Sequence, residues 1–160
     1  MLLLYLVTAS SHILYYYIWN NPEDFIDFTY SYNIKPVIFM SRICYLQKCL
    51  QWYLILLNSY DNESLFEFID NFNIINVVLI GSGQLLNLSV YNALGTKGVY
   101  YGNLFESGLP YITIFPYNLG IQNPQYVGCI LTLFGLYPMV SIPYIFYGMF
   151  LYIFTIYAEV

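Results

Sequence analysis

Between Glu106 and Glu159 the chain runs 52 residues (107–158) without an Asp, Glu, Lys or Arg, and between Asp70 and Lys97 it runs another 26 (71–96). A helix needs about 20 predominantly apolar residues to cross a bilayer, so each gap has room for a span. The scarcity is general. Charged residues are 8% of the 160 and mean hydropathy is +0.60, where a soluble domain carries about 25% charged residues. Too few polar groups remain to cover a water-facing surface. Disorder needs the opposite composition, low hydrophobicity with high charge. Four Lys/Arg against nine Asp/Glu give a net charge of -5, which excludes a basic nucleic-acid binder. The apolar runs are long and continuous rather than short and alternating, which favours helices over a membrane barrel. The expectation is a single all-α domain over 1–160, an integral membrane helical bundle with about four membrane segments.

The first segment is expected at 1–19. It ends in a Tyr/Trp cluster suited to a membrane interface, and it lacks a basic n-region and a clear cleavage site. It therefore reads as a retained membrane segment rather than a signal peptide. A polar, acidic loop with Asn20, Asn21, Pro22, Glu23, Asp24 and Asp27 follows. The second segment, 36–58, carries Arg42 and Lys48, which can snorkel, face the bundle interior, or mark a helix partly in the interface. A second acidic loop covers 59–71, and the third segment is 72–92. The connection 93–124 is rich in Gly, Pro and aromatic residues and too long for an idle turn. The last run, 125–157, is punctuated by Pro138 and Pro143. It is either one long kinked span with a re-entrant lead or a helical hairpin. With four single spans, Lys35 and Lys97 fall on one side, so the positive-inside rule places 20–35 and 93–124 in the cytoplasm.

Cys44, Cys49 and Cys129 show no CxxC spacing and no neighbouring His, so they read as buried apolar residues and no metal site is expected. His12, the one histidine, is either a general base or, more ordinarily for an apolar segment, a hydrogen-bonded packing residue.

Gly81-Ser82-Gly83 by itself reads as close helix packing. Its context is more specific. Gly83-Gln84-Leu85-Leu86-Asn87 is followed by Gly95 and Gly98-Val99-Tyr100-Tyr101-Gly102, then by Phe115-Pro116-Tyr117-Asn118, then by Asn123-Pro124-Gln125-Tyr126-Val127-Gly128. This order and spacing resembles the phospholipid N-methyltransferase family, membrane enzymes that methylate phosphatidylethanolamine and its mono- and dimethyl derivatives toward phosphatidylcholine. The N-terminal stretch His12–Phe25 also resembles that family's opening segment. The resemblance implies S-adenosylmethionine as methyl donor, a phospholipid substrate in the bilayer, no nucleic-acid or metal partner, and the endoplasmic reticulum membrane as location. It implies that Gly81, Ser82 and Gly83 match a cofactor-binding Gly-x-Gly, and that Asn123, Pro124, Tyr126 and Gly128 shape the cofactor and headgroup pocket. The family's second cofactor motif is a Glu-Glu pair. Here Glu159 is present and Val160 stands where the second would be.

The residue types fit that chemistry independently. A methyl sulfonium is a cation, so its site needs carboxylates, carbonyl oxygens or aromatic faces. Glu159 is the one acid in the last 54 residues (107–160) and closes an apolar run, which makes it a functional-site candidate. Tyr and Phe faces attract quaternary ammonium groups, and Tyr100, Tyr101 and Tyr117 are candidates for the substrate cation. No residue stands out as a catalytic base or nucleophile. Two rival readings are an isoprenylcysteine carboxyl methyltransferase-type enzyme and a non-catalytic small subunit of a membrane complex. The first usually shows Arg-His-Pro where this chain has Gln122-Asn123-Pro124.

Overall fold

The computed structural model describes residues 1–60, 72–106 and 112–158, and within them every regular element is helical. In chain order these are α1 (Leu2–Asn20), α2 (Pro22–Ser31), α3 (Pro36–Tyr60), α4 (Ile74–Val99), α5 (Gly102–Phe105), a 3-10 turn (Tyr117–Leu119), α6 (Pro124–Gly135) and α7 (Ile142–Ala158).

Two stretches are long and apolar enough to cross a membrane: Leu2–Asn20 and Ile74–Phe105, the latter being α4 with α5. The helix α3 has the length, with 25 residues, but Arg42 and Lys48 lower its hydropathy. The helix α7 has 17 residues and α6 has 12, about 26 and 18 Å at 1.5 Å per residue. Two candidate spans thus stand where four were expected.

Two further expectations change, and one left open is decided. The loop after α1 contains α2, whose start is written in Asn21-Pro22-Glu23-Asp24: a proline at the first helical position and acids in the first turn. The third segment runs on to Val99, seven residues into the expected connection, with a break at Gly95 (φ 63°, ψ 179°). The last run resolves into a helical hairpin. Here α6 and α7 pack against each other, Gly148 sitting against Leu133, and residues 136–141 make the turn. The hairpin brings Phe154 beside Tyr16 of α1, so Ala158 lies at the end of the bundle that also holds α2 and α5.

The most extensive packing is between α4 and α6, which run antiparallel. Gly83 faces the carbonyl of Gly128 and the hydroxyl of Thr132, while a Cβ on Gly128 would stand 2.6 Å from the Gly83 carbonyl oxygen. Gly135 sits against Ile80 and the Asn76 carbonyl. Small residues let the two backbones meet, which packs helices where the hydrophobic effect gives no drive. At the start of α4 the Asn73 side chain accepts hydrogen bonds from the amides of Ile75 and Asn76, and Asn76 Oδ1 accepts from the Asn73 amide at 3.0 Å. The buried Asn76 Nδ2 donates to the Gly135 carbonyl at 3.0 Å, tying this cap to the end of α6. Asn73→Ala is expected to cost about 1 kcal/mol, read as a lowered unfolding midpoint in detergent.

Around an apolar core, many further apolar side chains point outward, and several polar ones are buried. Val77, Val78, Leu85 and Leu88 of α4 and Phe146 and Phe150 of α7 are exposed, whereas Thr8, His12, Asn76, Thr132 and Thr155 are buried. Such a surface suits lipid rather than water. His12 pairs with Thr155 (Nδ1 to Oγ1, 2.7 Å) and its ring meets Tyr152 edge-on at 4.6 Å, so it is a hydrogen-bonded packing residue. Lys48 faces the bundle interior and Arg42 faces out. Cys44 is buried and Cys129 half-buried, but Cys49 is exposed, and all three are free thiols.

Candidate active site

The C-terminal end of α4, the 3-10 turn and the N-terminus of α6 close around a pocket of about 110 Å³. It is lined by Leu94, Gly98, Val99, Tyr101, Tyr117, Asn123, Pro124, Gln125 and Tyr126. Each part is placed by a local device. Gly95 supplies the positive φ that breaks α4, a conformation glycine adopts without the steric cost of a side chain. Tyr101 also sits in the left-handed region (φ 55°), which costs a bulky residue on the order of 1–3 kcal/mol. Its ring is held by edge contacts with Tyr15 (5.9 Å) and Trp19 (5.6 Å) of α1, and its hydroxyl lies 3.3 Å from that of Tyr126. The chain reaches the 3-10 turn through a cis Phe115–Pro116 peptide and leaves it at Gly120 (φ 74°). Asn123 stands at the N-cap position of α6 without a side-chain cap hydrogen bond, and the buried Pro124 fills the first helical position, where a missing N–H costs nothing.

Five of the residues singled out from the sequence meet here: Tyr101, Tyr117, Asn123, Pro124 and Tyr126. Others go elsewhere. Tyr100 turns away, its hydroxyl bonded to that of Tyr91 and its ring against Tyr45. Gly128 lies one turn beyond Pro124, pressed against Gly83. Gly81 and Ser82 are on the exposed side of α4, and a Cβ on Gly81 would meet nothing within 4 Å. Glu159 lies outside the described residues. Leu94, Gly98, Val99 and Gln125 complete the lining and were not among the residues expected there. Leu94 and Gly98 flank the break at Gly95, which brings them into contact in a way helical spacing does not announce, whereas Gln125 lies within a quoted motif.

Three phenol rings, two amides and apolar walls, with no charged side chain, suit a small cation rather than an anion. Burial pushes the Tyr117 phenol up from its ordinary value, so it stays a neutral ring and hydrogen-bond donor at physiological pH. At the rim of this end, Lys97 Nζ donates to Glu106 Oε2 at 2.6 Å, and this bond holds the Glu106 carboxyl below its ordinary value, with Lys35 adding to the effect. Lys35 and Lys97 thus sit at one end of the bundle. Among the described residues no group of three or more His, Cys, Asp or Glu could hold a metal ion.

The fold and the pocket together define a class: a protein whose described regular elements are all helical, with an apolar exterior and an aromatic pocket at one end. Residues 72–160, more than half of the chain, match the phospholipid methyltransferase family, and the chain belongs to that family. It is similar to a phosphatidyl-N-methylethanolamine N-methyltransferase of Arabidopsis thaliana, with 40% identity over 81 residues. That stretch is 51% of this chain and 49% of the relative, so the chain spans about half the length of the curated relative it matches. No solved structure matches the chain. The family match covers the whole pocket, while the likeness at His12–Phe25 lies outside it.

Proposed function

We propose that the chain is an integral membrane enzyme that transfers a methyl group from S-adenosylmethionine to the amine of phosphatidylethanolamine or its mono- and dimethyl derivatives. The observation that carries this reading is the meeting of Tyr101, Tyr117, Asn123, Pro124 and Tyr126, from three separate motifs of the family resemblance, around one aromatic pocket. Four segments (α1, α3, α4 and the α6–α7 hairpin) would sit in the bilayer of the endoplasmic reticulum. The end bearing Lys35 and Lys97 would face the cytosol, where the methyl donor is supplied.

The pocket fits the methyl donor's chemistry, because aromatic faces attract a sulfonium as they do an ammonium. When bound, S-adenosylmethionine supplies an electrophilic methyl on a cationic sulfur. By the resemblance, Asn123, Pro124, Tyr126 and Gly128 shape its pocket, and Gly81, Ser82, Gly83 and Glu159 extend the site. At Gly83 the α6 backbone already fills the space a ligand would need, which leaves Gly81 and Ser82 as the open part of that motif. The remaining work falls to the chain's own residues. The apolar walls exclude water and favour the neutral amine by desolvation, so the nitrogen presents its lone pair without a dedicated strong base. Tyr101, Tyr117 and Tyr126 hold the amine and the methyl in line, and alignment alone supplies much of the acceleration in such a displacement. The rings also stabilise the cation that accumulates as methyl groups are added.

The test is to incubate membranes containing the chain with methyl-labelled S-adenosylmethionine and each of the three lipids. Label is expected in at least one lipid product. Absence of label from all three, with the protein shown to be folded, defeats the reading.

A further inference from the structure

Lys48 lies midway along α3 and points into the bundle. Its ammonium donates to Gln51 Oε1 at 2.9 Å and to the Tyr152 hydroxyl at 3.1 Å, and stands 5.8 Å from the centre of the Tyr152 ring. Both partners are neutral. The one ion pair among the described residues is Lys97–Glu106, at the end of the bundle. A charge held inside a membrane bundle is ordinarily paired or marks a ligand pathway.

Beside Lys48 is a cavity of about 140 Å³, walled by α3, α4, α6 and α7. This is an order of magnitude more than one water requires. The helices α3 and α4 scarcely touch, and Trp52 of the one and Gln84 of the other line the cavity between them. Its lining is rich in donors. Besides Lys48, the side chains of Trp52, Gln84 and Asn87 line it, and the Asn87 amide oxygen accepts from Cys129 Sγ at 3.8 Å. A cation with indole and amide side chains beside it, and no acid in the wall, is complementary to an anion.

We infer that the Lys48 cavity is an anion subsite that takes the oxygens of a carboxylate or a phosphodiester. Tyr152, which lines it, packs on Tyr126 of the aromatic pocket with ring centres 6.0 Å apart. The two pockets lie along the same helix: Tyr126 and Thr132 are six residues apart on α6, about 9 Å along its axis. The bundle therefore offers a cation-attracting and an anion-attracting pocket side by side, as a zwitterion requires. Two ligands carry the shared chemistry, the amino-acid carboxylate of the methyl donor and the phosphodiester of the lipid. For the identity of those ligands the inference rests on the methyltransferase reading.

The test uses the full chain in mixed micelles. Affinity is measured for S-adenosylhomocysteine, for its decarboxylated counterpart and for phosphatidylethanolamine, in the wild type, Lys48→Met and Lys48→Arg, with unfolding midpoints recorded beside them. Lys48→Met is expected to weaken either S-adenosylhomocysteine or the lipid by at least about tenfold, and Lys48→Arg to restore most of the loss. If the loss falls on S-adenosylhomocysteine and is absent for the decarboxylated compound, the carboxylate is the ligand; if it falls on the lipid, the phosphodiester is. A folded Lys48→Met that binds both as the wild type does overturns the subsite alone. A wild type that binds neither overturns the subsite and the proposed function together. Should Lys48→Met fail to fold, Asn87→Leu on the opposite wall carries the test, and unchanged affinities in that variant overturn the inference.

Discussion

Gly83→Val is expected to destabilise the bundle by about 3 kcal/mol, at the upper end of what overpacking costs, and to abolish folding if the margin is small. A side chain there meets the Gly128 carbonyl and the Thr132 hydroxyl, and a Cβ on Gly128 would in turn stand 2.6 Å from the Gly83 oxygen and 3.0 Å from Asn87 Oδ1. Much of what it meets is backbone of a helix held along its length, so no rotamer change relieves the clash. Gly81→Val is the internal control. Its Cβ meets nothing within 4 Å, so its unfolding midpoint in detergent should match that of the wild type. Equal midpoints for the two variants would show that α4 and α6 do not cross at Gly83. The pair also separates two meanings of one motif. A Gly81→Val chain that folds normally but no longer binds S-adenosylhomocysteine would place the cofactor on that exposed side of α4.

Tyr126→Leu is expected to lower kcat/KM for methyl transfer by about tenfold or more. A desolvated cation–π contact is worth up to about 2 kcal/mol, and about 1.4 kcal/mol corresponds to a factor of ten. Leucine keeps an apolar side chain but removes the ring face, the hydroxyl that meets Tyr101 at 3.3 Å, and the ring contact with Tyr152. Tyr126→Phe keeps the face and should lose far less. The measurement is the initial rate with the monomethylated lipid across lipid and donor concentrations, on preparations matched for folded fraction. A Tyr126→Leu enzyme as fast as the wild type would remove this pocket from the reaction.

The sequence carried the helical class and the apolar exterior, because charge scarcity over tens of residues is a one-dimensional signal. The helices α1 and α3 lie close to where the apolar runs put them, α4 begins where expected and runs on to Val99, and α6 and α7 share the last run. The helix α2 was there to be read in Asn21-Pro22-Glu23-Asp24, but its acidity resembled a loop. What one dimension hides is which side a residue faces. Tyr100 and Tyr101 are neighbours, and the break after α4 sends one ring to Tyr91 and the other to the pocket. Gly81 and Gly83 look alike in the sequence, yet two residues on a helix are some 200° apart, so one is open and the other is packed. Lys48 read as an awkward charge in a span; only the approach of α4, α6 and α7 shows the cavity it faces. The pocket residues came through best where the family's motifs set them close together, as in Asn123-Pro124-Gln125-Tyr126.

The central claim is that the aromatic pocket binds its ligand by positive charge. It is tested most directly by comparing the affinity of phosphatidylcholine with that of its neutral isostere, in which a carbon replaces the quaternary nitrogen, in the wild type and in Tyr117→Leu. Shape and size are the same in the two lipids, so only the charge differs. The account expects the wild type to prefer the cation by about tenfold and Tyr117→Leu to lose most of that preference. Equal affinity of the wild-type chain for the two lipids would contradict it.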